Sequence, residues 1–147
     1  MAGIPSEYPI EVIWEGGRRY RGGAPGGPTL LLDGERQVSP GPVDAVLISL
    51  AACSAIDVVQ ILEKRRTPAA SLSVRLDFSR AETPPRRLTQ IRVLYRVATE
   101  AERHHVERAV ELSMEKYCSV AASLAPDIDL TWQVEIQAPE QVPGEAS

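Results

Sequence analysis

Alternating apolar and polar positions predict two or three short strands at the start of the chain. Ile10, Val12 and Trp14 fall on every second position before a pair of glycines ends the run. Apolar residues return at Thr29–Asp33, after a loop rich in glycine and proline. A last strand is predicted from five alternating apolar residues near the other end: Ile128, Leu130, Trp132, Val134 and Ile136.

The clearest alternation lies in the middle of the chain, in two stretches separated by a turn rich in proline and arginine. The apolar positions of the first are Leu72, Val74, Leu76 and Phe78, and those of the second are Ile91, Val93, Tyr95 and Val97. Apolar residues thus occupy one face of each stretch and mostly polar residues the other. This pattern predicts a β-hairpin with one solvent-exposed face, which indicates an antiparallel sheet.

A long, almost wholly apolar stretch separates the early strands from the hairpin. It runs from Val43 to Leu62, and Gly41 with Pro42 is typical of a helix start. Basic residues and a proline follow it, as is common after a helix end. Its length suits a membrane span, but Asp57 lies well inside it, and a carboxylate near the bilayer centre costs about 2.5–3.5 kcal/mol. We therefore expect a central buried helix and no membrane association.

A second helix is predicted after the hairpin. Thr99 and Glu102 have the spacing of a capping box at a helix start. The apolar face comprises six positions at helical spacing: Val106, Ala109, Val110, Ser113, Met114 and Tyr117. Cys118 comes near the end of this helix, and residues 119–124 can form one further short helical turn.

The predicted order is two or three strands, the long helix, two strands, the second helix and a final strand. Strands and helices in this order are typical of an α+β protein. We expect residues 1–136 to form one domain and the polar residues 137–147 to form a flexible tail. The order also contains the β-α-β-β-α-β arrangement of ferredoxin-like domains, so an interaction domain of that kind is an alternative at this point.

The composition is that of an ordinary folded protein. The 147 residues are 44% hydrophobic and 24% charged, with a formal net charge of −4 and a pI of about 5.2. An acidic chain lacks the broad basic footprint of nucleic-acid-binding proteins, so no nucleic-acid partner is expected. The N-terminus has neither the basic nor the apolar region of a secretory signal, which predicts a cytoplasmic protein with reduced thiols.

Several familiar binding patterns are not matched. The glycine-rich loop at residues 22–27 is followed by neither Lys-Ser, Lys-Thr nor a helix, so it is not a phosphate-binding loop. His104 and His105 are adjacent and would point about 100° apart on a helix, which disfavours a shared metal ion. The sequence therefore predicts no metal and no cofactor.

Two cysteines remain, Cys53 in the apolar helix and Cys118 at the end of the second helix. Each is either a small buried hydrophobe or part of a reactive site. A free thiol with a pKa near 8.5 is only about 3% thiolate at neutral pH. A reactive Cys53 would need a nearby cation, which the arginines at residues 18–21 could supply. Asp57, on the same helix face, would oppose the thiolate if it were ionised and close.

Four stretches of the sequence resemble the OsmC/Ohr family of thiol peroxidases. They are Trp14-Glu15-Gly16-Gly17-Arg18, residues 39–47, residues 50–62 and residues 115–120. Their order and spacing fit over about residues 10–136. The resemblance implies an OsmC-like fold, with antiparallel sheets around a long buried central helix, assembled as an intertwined homodimer.

The resemblance also implies roles for three residues. Cys53 matches the peroxidatic cysteine, which attacks an organic or fatty-acid hydroperoxide as the thiolate, and Cys118 matches the resolving cysteine. Arg18 matches the arginine that stabilises the thiolate, although Arg19 and Arg21 are near enough in sequence to replace it. An external dithiol would reduce the resulting disulfide. The implied function is a two-cysteine peroxidase in oxidative-stress defence.

One position departs from the family pattern. Peroxidases of this family carry a glutamate ten residues before the first cysteine, and this chain has Val43 there, with Asp44 beside it. Without the glutamate, the arginine loses a partner that would fix its orientation. With Val43 at this position, the sequence resembles a subgroup of OsmC-like proteins that lack the glutamate. An alternative is therefore an OsmC-fold protein that binds a small apolar ligand or senses redox state, with little or no peroxidase activity.

Overall fold

The computed structural model describes residues 9–139, which form six strands, three α-helices and one π-helical turn. The elements are β1 (Glu11–Trp14), β2 (Arg19–Gly23), β3 (Thr29–Asp33), α1 (Pro42–Lys64), β4 (Ala69–Arg80), β5 (Leu88–Thr99), α2 (Arg103–Leu112), the π turn (Ser113–Tyr117), α3 (Ser119–Ser123) and β6 (Asp129–Gln137). The predicted α+β architecture, with sheets and a long helix between them in the chain, is confirmed.

The chain divides into two compact units, with the boundary between Leu47 and Ile48. Helix α1 begins in the N-terminal unit and continues into the C-terminal unit. The proposed domain limits stay predictions. Of the predicted tail, Gln137 is the last residue of β6, and residues 140–147 lie outside the described part of the chain.

The N-terminal unit contains an antiparallel sheet in the order β1-β2-β3. Trp14 pairs with Tyr20, which pairs with Leu32, and Val12 and Leu30 lie opposite the same glycine of β2. Residues paired in this way share a face of the sheet, so one face is apolar throughout. That face is exposed within the chain: Val12, Trp14 and Leu30 keep 63%, 64% and 59% of their surface accessible.

Asp33 organises the loop between β3 and α1. Its side chain is 1% exposed and accepts hydrogen bonds from the backbone N–H groups of Glu35 at 2.9 Å and of Gln37 and Val38 at 3.0 Å. Arg19 adds an ion pair at 3.8 Å. The N–H groups of Val38 and Glu35, above all, hold the pKa of Asp33 below its ordinary value of 3.8.

The C-terminal unit contains a sheet in the order β4-β5-β6. The predicted hairpin is confirmed, with Val74 opposite Tyr95 and Leu76 opposite Val93. Strand β6 differs from the antiparallel expectation, because it runs parallel to β5, with Tyr95 opposite Val134. A parallel neighbour requires a crossover connection, and α2, the π turn and α3 provide it. The ferredoxin-like alternative is wrong, because the six strands form two separate three-stranded sheets.

The core of the C-terminal unit is built from β5, α1 and α2. Its fully buried side chains include the inward-facing residues of the central strand β5: Ile91, Tyr95 and Val97. Helix α1 contributes a stripe at four-residue spacing: Leu50, Ser54, Val58 and Leu62. Helix α2 contributes Val106, Ala109 and Val110.

Only one side of α1 is buried within the chain. Ile48 and Ile56 remain 53% and 57% exposed. Among the described residues, α1 is the one helix long and apolar enough to cross a membrane by length and composition. The core helix of a soluble protein has the same length and composition, so these properties do not separate the two cases.

The predicted capping box at the start of the second helix is wrong. Helix α2 begins at Arg103, and Glu102 is its N-cap without a side-chain hydrogen bond. Thr99 instead ends β5, where its hydroxyl donates to the carbonyls of Thr67 and Pro68 and accepts from the N–H of Ala101, each at 3.1 Å. The hydroxyl is therefore used in closing the connection between α1 and β4.

The hydrogen bonds of Asp33 generate a stability prediction. Asparagine in its place keeps one acceptor oxygen and turns an NH2 group toward the backbone donors, so we expect Asp33→Asn to unfold at a lower urea concentration at neutral pH. A depressed carboxyl pKa stabilises the fold fully above the unfolded-state value and progressively less as pH falls through the folded-state value. The difference from the unmodified protein should therefore shrink below about pH 3.8.

Urea midpoints followed by circular dichroism across this pH range check the prediction. Asp127→Asn is the matched control, because Asp127 is a surface carboxylate paired with Arg87 and 71% exposed. Equal midpoints for Asp33→Asn and the control at neutral pH would contradict the role given to Asp33.

Candidate functional site

The structure brings Cys53 and Cys118 together. Cys53 lies in the middle of α1 and is half-buried, whereas Cys118 follows the π turn and is 3% exposed. Both are free thiols, and Cys53 lies near enough to Cys118 to raise the pKa of the Cys118 thiol. The sequence placed these cysteines on separate helices and left their proximity open. In the structure, the end of the second helical segment packs against α1, which brings the two cysteines close together.

The π turn determines where Cys118 lies. The Cys118 N–H donates to the Ser113 carbonyl at 2.7 Å, a bond that spans five residues in place of the four of an α-helix. At Cys118 the backbone becomes extended, with φ −74° and ψ 106°, so that this residue leaves the helix and caps α3. Its sulfur accepts a hydrogen bond from the Ala121 N–H at 3.4 Å. A continuous α-helix, as predicted, would place the thiol differently around the helix axis.

Burial gives the two thiols different chemistry. It raises the pKa of the Cys118 thiol, and the adjacent Cys53 sulfur raises this pKa further, while the Ala121 N–H acts in the opposite direction. Cys118 is therefore held as the neutral thiol at physiological pH. Cys53 is the thiol that a small molecule can reach from solvent.

A buried hydrogen bond lies directly beside Cys53. The hydroxyl oxygens of Ser54 and Tyr95 are 2.6 Å apart, and both residues are fully buried. The Ser54 hydroxyl donates to the Leu50 carbonyl at 2.9 Å, so the Tyr95 hydroxyl donates to Ser54. Burial raises the pKa of Tyr95 to about 12, and Cys118 and Asp57 act in the same direction. Tyr95 is therefore a fixed neutral donor beside the helical turn that carries Cys53.

Asp57 has a specific partner on the π turn. Its carboxylate oxygen Oδ2 accepts a hydrogen bond from the Ser113 hydroxyl at 2.7 Å. The same hydroxyl lies 3.2 Å from the Ser54 carbonyl oxygen, and Ser113 is fully buried. The sequence placed Asp57 on the Cys53 face of α1 and missed this partner. The available signal was a serine on the otherwise apolar face of the second helix.

Arg18 lies in the turn between β1 and β2. Gly16 and Gly17 adopt φ values of +101° and +56°, a conformation that favours glycine, and the Arg19 N–H donates to the Gly16 carbonyl at 3.0 Å. The indole N–H of Trp14 donates to the Gly17 carbonyl at 2.9 Å. These bonds give the arginine a defined point of attachment to the sheet.

The three neighbouring arginines differ in their partners. Arg19 pairs with Asp33, and Arg21 pairs with Glu15 at 3.1 Å. Within residues 9–139, the Arg18 guanidinium makes no hydrogen bond or ion pair. Arg18 belongs to the N-terminal unit and both cysteines to the C-terminal unit, so its action on the thiols stays a prediction.

Asp44 does not replace the missing glutamate. Its oxygen Oδ2 accepts a hydrogen bond from the Gly41 N–H at 2.9 Å and pairs with Arg36 at 2.7 Å. Asp44 thus satisfies the start of α1, where a negative charge is also favoured by the helix dipole. Val43, at the glutamate position, is half-buried and offers no hydrogen-bonding group.

The histidines lie closer together than their positions on a helix predict. Glu102, His104 and His105 have possible ligand atoms within 4.8 Å of one another, and the two imidazole rings are 3.9 Å apart. His105 Nε2 is 2.7 Å from an Arg65 guanidinium nitrogen, which can only donate, so the lone pair of Nε2 is already used. Desolvation and Arg65 lower the pKa of His105. We therefore retain the interpretation of two surface histidines.

Comparison with known proteins relates the chain to one family. The family described as OsmC-like protein matches residues 33–133, which include both cysteines and Asp57. Protein YhfA of Escherichia coli (strain K12) is 38% identical over 129 residues, which cover 86% of this chain and 96% of YhfA.

Two solved structures extend the comparison. A protein from Aquifex aeolicus VF5 is 27% identical with a TM-score of 0.78, and the match covers 90% of this chain and 99% of that one. The organic hydroperoxide resistance protein OhrB of Bacillus subtilis is 16% identical with a TM-score of 0.60, over 88% of this chain and 100% of OhrB, and shows the shared fold. The family match, together with the identity to YhfA, establishes that this chain belongs to the OsmC-like protein family.

Proposed function

We propose that this protein is a thiol-dependent peroxidase that reduces organic and fatty-acid hydroperoxides in oxidative-stress defence, with Cys53 and Cys118 as its redox pair. The observation that carries the proposal is the proximity of the two free thiols, one half-buried and one almost fully buried. The peroxidase proposal is also supported by membership of the OsmC-like family and by a fold shared with a hydroperoxide resistance protein. The cytoplasm, where thiols are kept reduced, is the compartment that suits this chemistry.

The proposed reaction has three balanced steps. The Cys53 sulfur attacks the terminal oxygen of the hydroperoxide, the O–O bond breaks, and an alcohol leaves as Cys53 becomes a sulfenic acid. The Cys118 sulfur then attacks the Cys53 sulfur, the S–O bond breaks, and water leaves with the Cys118 proton. An external dithiol finally exchanges with this disulfide, returns both cysteines to thiols and is itself oxidised. The partial exposure of Cys53 suits the first step and the burial of Cys118 the second.

Arg18 is the proposed cation for the Cys53 thiolate. Lowering a thiol pKa from about 8.5 to about 6 requires roughly 3.4 kcal/mol of preference for the anion. One arginine at about 4 Å in a partly screened site supplies roughly 4 kcal/mol. The lack of a partner for Arg18 within the described residues favours it over Arg19 and Arg21, whose guanidinium groups are paired with carboxylates.

An intertwined homodimer is part of the proposal. The apolar face of the β1-β2-β3 sheet forms an open groove of about 530 Å³, lined almost entirely by apolar atoms and including Val12, Tyr20 and Leu30. Ile48 and Ile56 of α1 are also more than half exposed within one chain. Monomeric soluble proteins rarely leave such a contiguous apolar surface uncovered. We propose that a second copy of the chain covers this surface.

Val43 favours a second candidate function. No carboxylate stands at this position. The alternative is therefore an OsmC-fold protein that binds a small apolar ligand or senses redox state and has little peroxidase turnover. It shares the thiol pair and differs in the rate at which Cys53 reacts.

The first prediction from the proposed function concerns disulfide formation. One equivalent of an organic hydroperoxide should remove two hydrogens from each reduced chain, and peptide mapping should place the new bond between Cys53 and Cys118. Intact-protein mass spectrometry provides the measurement. Cys118→Ser should stop at the sulfenic acid, and Cys53→Ser should not react. Thiols that stay reduced in the unmodified protein would contradict the peroxidase proposal.

The second prediction concerns Arg18 and the dimer together. Arg18→Gln removes a cation that stabilises the Cys53 thiolate by a few kcal/mol in the proposal. The variant should therefore react with hydroperoxide about tenfold more slowly or slower still, since each 1.4 kcal/mol is a factor of ten. Arg19→Gln and Arg21→Gln, which lose paired arginines, are the matched controls and should react faster than Arg18→Gln. Stopped-flow measurement of hydroperoxide consumption gives the rates.

Mixed dimers then test whether Arg18 acts across the interface. Arg18→Gln and Cys53→Ser chains, unfolded together and refolded, should regain about a quarter of the wild-type sites, because half of the dimers are mixed and each has one intact site. An inactive mixture, with dimers verified by light scattering, would place Arg18 and Cys53 of one site in the same chain. A monomer would contradict the assembly itself.

The third prediction concerns Val43. If the missing glutamate limits turnover, Val43→Glu should raise the hydroperoxide rate, because a carboxylate restores a partner that orients the arginine. Val43→Gln is the matched control, with the same shape and no charge. An unchanged low rate in Val43→Glu would show that the glutamate position is not what limits the reaction.

A further inference from the structure

We propose that Asp57, acting through Ser113, is a positioning residue that holds Cys118 in place for closure of the disulfide with Cys53. The inference deepens the proposed peroxidase function and rests on it for the chemistry of that step. It assigns a role to the carboxylate that lies within the cysteine-bearing part of α1, one helical turn after Cys53.

Ser113 is the residue through which Asp57 acts. It is the first residue of the π turn, and its carbonyl accepts the Cys118 N–H at 2.7 Å. Its hydroxyl donates to Asp57 at 2.7 Å on the opposite element. One fully buried residue thus connects the backbone of Cys118 with a side chain of α1.

The other contacts of Ser113 extend the connection to Cys53. The Ser113 hydroxyl lies 3.2 Å from the carbonyl oxygen of Ser54, the residue that follows Cys53. Ser54 is itself held by the Tyr95 hydroxyl at 2.6 Å. The helical turn that carries Cys53 and the π turn that precedes Cys118 are therefore joined by hydrogen bonds that ordinary apolar packing would not provide.

Closure of the disulfide depends on this geometry more than the first step does. The Cys118 sulfur must approach the Cys53 sulfur in line with the departing hydroxyl, while hydroperoxide reaches Cys53 without help from the π turn. Cys118 is a buried neutral thiol, so its low nucleophilicity has to be offset by its fixed position. A displacement of about 1 Å can cost such a step about a hundredfold in rate.

The role requires an acceptor oxygen at Asp57 and not a full charge. Asp57→Asn keeps a carbonyl oxygen for the Ser113 hydroxyl, whereas Asp57→Ala removes it. An ionised carboxylate near Cys53 would oppose the thiolate, so Asp57 would not serve the first step by its charge. The pair of variants therefore separates positioning from electrostatics.

The experiment measures the two oxidation steps separately in the full-length protein. Rapid-mixing kinetics with an organic hydroperoxide give the first step as peroxide consumption and the second as disulfide mass after acid quenching. In Asp57→Ala and Ser113→Ala we expect a first rate of at least about half that of wild type and closure slower by about tenfold or more. A dione reagent should trap the accumulating sulfenic acid in these variants. Asp57→Asn should close within about threefold of wild type.

Three outcomes would overturn the proposal. Closure at the wild-type rate in both Asp57→Ala and Ser113→Ala would show that the hydrogen bond does not position Cys118. Equal slowing of both steps would indicate a general structural effect, and equal slowing by Asn and Ala would indicate a role for the charge. If Asp57→Ala does not fold, Ser113→Ala removes the same hydrogen bond by deleting one oxygen atom. Asp127→Ala, a surface change, is the matched control.

A second measurement keeps this proposal separate from the peroxidase proposal. The protein is equilibrated in buffers with known ratios of reduced to oxidised glutathione. The fractions of dithiol and disulfide are then measured by alkylation and mass spectrometry. Asp57→Ala should favour the dithiol about tenfold relative to wild type. A shift of this kind in a protein that ignores hydroperoxides would leave the positioning role standing and remove the peroxidase function. If the protein reduces hydroperoxides and Asp57→Ala changes neither the closure rate nor the thiol–disulfide equilibrium, the peroxidase function stands and the positioning role of Asp57 is wrong.

Discussion

The hydrogen bond between Ser54 and Tyr95 is the contact on which the arrangement of the C-terminal unit depends. Helix α1 is apolar on almost every side, so hydrophobic burial alone leaves its rotation about its own axis weakly specified. Two fully buried hydroxyl groups at 2.6 Å remove that freedom, since any other rotation of α1 would leave the Tyr95 hydroxyl without this partner in the core. Cys53 is the neighbour of Ser54, so fixing this one hydroxyl also fixes the direction of the Cys53 side chain.

The same logic explains why the second cysteine follows a π turn. A fifth residue in the hydrogen-bonded ring moves Cys118 around the helix axis and brings its backbone N–H to the Ser113 carbonyl. The Ser113 hydroxyl is then directed at Asp57. An irregular turn costs some helix stability, and here the cost is offset by contacts between elements. The thiol pair is thereby assembled from an apolar helix and an interrupted one, each held by a buried serine.

Local patterns in the sequence were sufficient for most of the elements. Alternation placed the hairpin, and a glycine and a proline placed the start of α1. The two cysteines remained after other kinds of site were excluded, and the separate roles of Cys53, Cys118 and Arg18 followed from a family resemblance. Contacts distant in sequence account for the failures: Thr99 bonds to Thr67 and Pro68 instead of capping α2, and β6 is parallel because of a helical crossover. Ser113 looked like a core position of an amphipathic helix, and only the fold reveals that Asp57 is its partner.

The distribution of carboxylates distinguishes this chain from the peroxidase pattern it resembles. Asp44 is committed to the start of α1 and to Arg36, and Val43 is apolar, so neither orients a cation for the thiol. Asp57 is committed to Ser113. The position that would hold an arginine therefore carries no carboxylate in this chain. In the proposed reaction, reactivity at Cys53 would depend on how closely Arg18 approaches without a carboxylate to hold it, whereas closure of the disulfide would depend on the hydrogen bonds of Ser113. The two steps of the proposed reaction would therefore be under separate control: the first by an exposed arginine that has no partner among residues 9–139, the second by buried hydroxyl groups.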